Sequence, residues 1–116
     1  MSVSQGPALS AVAFQLAATL DAYERDVALL VGVPFNPEAY RRVSRQMDEM
    51  RMYSAALPPL SVAWVEVMIC HFELTHGLWR VQKDGGDAAE LRELHVRLRE
   101  AVRRLSRKCV QLMPSA

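Results

Sequence analysis

Charge is missing from the first 20 residues of this 116-residue chain, and clusters of reactive side chains are missing from all of it. There are two cysteines, Cys70 and Cys109, with no CxxC and no Cys/His cluster, which excludes a disulfide framework and the usual zinc sites and leaves two free thiols suited to a reducing compartment. The five glycines form no phosphate-cradling loop. Neither a Ser/His/Asp order nor a pair of inward carboxylates is present, so the means for nucleophilic or acid–base catalysis are lacking and a non-enzyme is expected. Charge of one sign is also scarce: 14 basic against 13 acidic residues give a net +1, and no global field favours nucleic acid, an anionic membrane or an acidic partner.

Long hydrophobic runs are absent too. The most apolar stretch, Leu57 to Val81, is interrupted by Glu66, His71, Glu73 and His76, which excludes an ordinary membrane span. The uncharged beginning raises the question of a signal peptide, but the first basic residue is Arg25, and Ser10, Gln15, Thr19 and several alanines dilute the apolar run. It reads as part of a helix. The expected location is the cytoplasm, with no membrane partner.

What the chain does have is periodicity. Apolar residues recur at alternating steps of three and four in four stretches, the spacing that lines one face of a helix. The first runs Leu9, Ala13, Leu16, Leu20, Tyr23, Val27, Leu30, and the second Tyr40, Val43, Met47, Met50, Leu57. The third runs Leu60, Trp64, Val67, His71, Leu74, Leu78, Val81, and the fourth Leu91, Leu94, Leu98, Val102, Leu105, Cys109, Leu112.

Punctuation separates them. Pro7 suits a first helical position and Gly32 a left-handed C-cap. Asn36, Pro37 and Glu38 combine an N-cap, a first-turn proline and an acid at the positive helix end. Pro58 and Pro59 forbid continuation of the second helix. Asp84, Gly85 and Gly86 break the chain again, and Asp87 with Glu90 forms an Asp-type capping box. The expected helices cover about residues 7–32, 37–57, 61–83 and 87–113. They match in length and have short connections, which predicts an all-α, antiparallel up-down-up-down four-helix bundle as a single domain over residues 1–116.

The four helices differ on their outer faces. The second and fourth present charge there, whereas half a turn away from its stripe the first shows Ala11, Phe14, Ala18 and Leu29. The third shows Val62, Val65 and Ile69, rimmed by Glu66, Glu73, His76 and Arg80. Two helices that are apolar nearly all round imply a further partner. The expected function is non-enzymatic protein–protein interaction: a homodimer formed through one of these faces, the third helix favoured, with an adaptor or chaperone-like role toward a protein whose identity the sequence does not give.

Two other readings attach to particular residues. Glu73 and His76 form one E-x-x-H step, but a di-iron bundle needs two such steps plus two further carboxylates, and this pair falls on the outer face. His71 lies in the third stripe, where it should be buried and bonded to a tyrosine such as Tyr23 or Tyr40, a backbone carbonyl or water. A metal- or small-cofactor-binding bundle centred near His71 is the alternative, though the residues define no cofactor. The basic run Arg97, Arg99, Arg103, Arg104, Arg107 and Lys108 suits a solvated helix end. A nucleic-acid accessory role is the second alternative, weakened by balanced total charge and the lack of interleaved aromatics.

Overall fold

A computed structural model describes residues 2–32 and 35–113, folded as four helices: α1 (Ser2–Val31), α2 (Pro37–Ala55), α3 (Ser61–Asp84) and α4 (Ala88–Leu112). A single 3-10 turn, Pro58–Leu60, joins α2 to α3. The connections are too short for anything but antiparallel neighbours, and the result is the expected up-down-up-down bundle, 55 × 23 × 23 Å. Helix α1 packs on α2 and α4, and α3 packs on α4, while α2 and α3 touch far less. That slack side is the main departure from a regular square.

Two of the expected punctuation marks hold in atomic detail. Asn36 adopts extended backbone and its side chain accepts a hydrogen bond from the Ala39 amide at 3.1 Å. Asp87 does the same for the Ala89 amide at 2.8 Å. Four others need correction. The first helix begins at Ser2 rather than Pro7, so Pro7 does not hold the first helical position but lies in the second turn of α1. Gly32 is not a left-handed cap: among the described residues only Gly85 has a positive φ, 67°, and it closes α3 by donating its amide to the Val81 carbonyl at 3.0 Å. Glu90 does not complete a capping box, since its carboxylate accepts a 2.7 Å bond from Arg80 across the α3–α4 seam. Helix α2 ends at Ala55, two residues early, because the residue before a proline is driven out of helical backbone, and Leu57 is buried from that non-helical position.

One core runs through all four helices. The stripes supply it with two exceptions, Leu9 and Tyr40, which are 40% and 43% exposed. Helix α1 has 30 residues against 19 in α2, about 45 Å against about 29 Å, and because the two are aligned at their short connection the first turns of α1 outrun the bundle. Tyr40 stands on the side of α2 that faces the slack seam. Polar stitches tie the tighter seams: Asp26 of α1 accepts from Arg42 at 3.1 Å and Gln46 at 2.8 Å on α2, and Glu66 of α3 pairs with Arg104 of α4 at 3.0 Å. Gly77 allows the close approach of α3 to α4, because a Cβ there would come within 2.8 Å of a Leu94 methyl.

Gly85 carries a direct expectation. No neighbour lies within 4 Å of a Cβ at that position, so Gly85→Ala meets only the backbone penalty of a left-handed L-residue, about 1 to 2 kcal/mol. Chemical denaturation should show that loss, and no loss would mean that α3 ends in another backbone conformation.

Candidate functional site

The residues that stand out on this bundle lie along the outer side of α3. At about 100° per residue, positions 62, 65, 69, 72, 76 and 79 advance by alternating steps of three and four and form one seam. Five of the six carry large apolar side chains, all exposed: Val62 73%, Val65 42%, Ile69 51%, Phe72 61% and Trp79 55%. His76 supplies the sixth position and stacks on Trp79, ring centroids 6.3 Å apart, while the Lys83 ammonium sits 4.6 Å above the same indole. These side chains form one contiguous exposed apolar surface rather than singly scattered residues, the arrangement that interaction sites share.

Of the expected rim, Glu73 and His76 are exposed on the outer side, as their helical positions require, and Glu66 and Arg80 lie on the flank toward α4, already engaged with Arg104 and Glu90. Sequence reasoning missed Phe72 and Trp79. Their spacing was visible, but they sit on the flank toward α2, where a regular square would have covered them.

The face of α1 is poorer. Phe14 and Leu29 are 61% and 49% exposed and Ala11 and Ala18 are open, but Phe14 and Leu29 stand fifteen residues apart, about 22 Å, with exposed Asp21 and Arg25 between them. Charge and alanine break that surface into separate pieces. Among the described residues, only α3 offers an unbroken stripe.

Beside the stripe, the slack α2–α3 seam opens into a groove of about 430 Å³, with Met47, Trp64, Met68 and Phe72 on its walls, Asp48 and Arg51 at its edge and His71 in its lining. His71 is 7% exposed, and its Nδ1 lies 2.8 Å from the hydroxyl of Tyr23, which is fully buried on α1. Burial pushes the imidazole down to about 4 and holds the Tyr23 phenol above its ordinary value, with the neighbouring Cys70 thiol adding to the latter. Both groups are therefore neutral near pH 7. The imidazole tautomer sets the direction of this bond: the phenol donates to Nδ1 when the ring proton is on Nε2, and accepts from Nδ1–H when Nε2 carries the lone pair. Among the described residues no three His, Cys, Asp or Glu side chains gather as a metal site would require.

The basic end of α4 is partly neutralised by acids on α1, α3 and α4 itself. Arg104 pairs with Glu66 at 3.0 Å, Arg99 approaches Glu24 at 3.9 Å and Arg97 pairs with Glu93 at 3.3 Å, so three of the six cations already have acidic neighbours. Both cysteines are free, Cys70 half-buried and Cys109 buried, with burial raising each thiol. No described helix is long and apolar enough to cross a membrane. No protein family, no curated protein and no solved structure matches the chain.

Proposed function

We propose that this protein works without catalysis, as a cytoplasmic helical bundle that self-associates through the outer face of α3 and in that form engages another protein. The observation that carries this reading is the unbroken stripe from Val62 to Trp79 on a helix whose opposite side is already in the core. Such a surface is the apolar centre of an interface, and Glu73 and Arg80 beside it make the polar edge. Closed two-fold pairing is the commonest way for one patch to be covered by its own copy.

Ile69→Glu tests the reading. It places a carboxylate at the middle of the stripe, where pairing would bury it opposite an apolar surface. The expected result is a folded monomer by light scattering at concentrations where wild type is dimeric, with unchanged helical circular dichroism. Phe14→Glu, on α1, should leave the dimer intact. The reverse pattern would move the interface to α1.

A second reading draws on the groove beside His71: an apolar, thioether-lined cleft with an imidazole in its wall can hold a small flat ligand. Absorbance and elemental analysis of freshly purified protein check it, and a bound chromophore or stoichiometric metal lost in His71→Leu would favour it over association.

A further inference from the structure

The stripe on α3 has a direction as well as an area, and its two ends differ in a way that selects how a second copy would lie on it. We infer that the self-association proposed above closes as an antiparallel α3–α3 pair, with the two-fold axis crossing α3 midway between Ile69 and Phe72. The inference rests on the self-association reading and adds orientation and register to it.

Large and small side chains exchange places under that symmetry. Val62 falls opposite Trp79 of the second copy, Val65 opposite His76, and Ile69 opposite Phe72, so each bulky ring meets a smaller partner, as layers of a packed helix pair require. A parallel pair would set every residue on itself, stacking Trp79 on Trp79 and His76 on His76. The flank decides further. Glu66, Glu73 and Arg80 repeat every seven residues along the α4 side of the stripe. Helical side chains lean toward their own N-terminus. In the antiparallel arrangement Glu66 of one copy and Arg80 of the other therefore lean toward each other, twice per dimer. In a parallel pair the same residues would face Ser61, Met68 and Thr75, which carry no charge. Glu73 meets its own copy beside the axis, so Glu73→Gln should tighten the dimer about twofold.

Charge exchange with mixing is the test. Glu66→Arg and Arg80→Glu, each alone, put like charges at both contacts and should weaken association about tenfold or more in sedimentation equilibrium at low salt. A one-to-one mixture should recover wild-type affinity to within about threefold, because the heterodimer restores an opposite pair at both contacts. Each variant also loses its bond to α4, but that loss is the same in the mixture, and recovery isolates the contact between copies. A spin label at Ser61→Cys in a Cys70→Ser background gives a second measurement. The antiparallel pair separates the two labels by about 30 Å, a parallel one by about 10 Å. Wild-type dimers whose charge variants neither weaken nor complement, or labels near 10 Å, would overturn the orientation while leaving self-association standing. A monomeric wild type would remove the underlying reading itself.

Discussion

Leu98→Ala is expected to destabilise the bundle by about 2 to 5 kcal/mol, and Leu16→Ala by a similar amount, while Arg103→Ala should stay within about half a kcal/mol. Leu98 is 1% exposed and Leu16 fully buried, both within the single core cluster, so removing three carbons leaves a cavity that rigid helices refill only in part. Arg103 is exposed on the outer side of α4. Urea denaturation reads the difference as a shift in midpoint at constant slope. Equal costs at the two kinds of site would mean that α4 is rotated about its axis.

The second large effect is acid sensitivity. His71 titrates at about 4 in the fold against an ordinary 6.5, so between those values the unfolded chain holds a proton that the folded one does not. Stability should therefore fall as pH drops from about 6.5 to about 4, by about 3 kcal/mol, and this contribution should level off below that because both states are then protonated. His95, lowered mainly by burial and then by the nearby Arg99, pushes in the same direction. His71→Leu should flatten most of the slope. It should also cost about 1 to 3 kcal/mol at pH 7, because the Tyr23 hydroxyl, whose bonded partner is His71, would be left buried and unsatisfied. Removing a buried polar ring would by itself be neutral or favourable, and the bond to Tyr23 reverses that sign. Tyr23→Phe with His71→Leu removes both partners and should recover most of the loss. Unchanged acid sensitivity in His71→Leu would show that another group governs it.

What could be read from the chain follows the range of the forces involved. The stripes, the Asn36 and Asp87 caps and the Pro58–Pro59 stop depend on residues within one or two turns, so spacing and side-chain chemistry carry them. Choices between equivalent local signals could not be read. Gly32 and Gly85 both look like left-handed caps, and only Gly85 is one. Tyr23 and Tyr40 both stood as partners for His71, and the one chosen lies across the bundle, 48 residues away in sequence. Glu90 could cap its own helix or reach Arg80, and the interhelical bond won.

The candidate surface shows the same boundary. Val62, Val65 and Ile69 lie half a turn from the buried stripe and are exposed in any arrangement of four helices. Phe72 and Trp79 belong to the same surface only because α2 stands away from α3, a property of the whole bundle that no local spacing encodes. With them the patch grows from a short apolar spot into a seam long enough to pair.

Sedimentation of the unmodified protein across a dilution series from about 100 μM to below 1 μM tests self-association most directly. Pairing through α3 requires a species of twice the 13.0 kDa chain mass at micromolar concentration, giving way to monomer on dilution, with Trp79 becoming more solvent-exposed in step. A mass of 13.0 kDa at every concentration would contradict it.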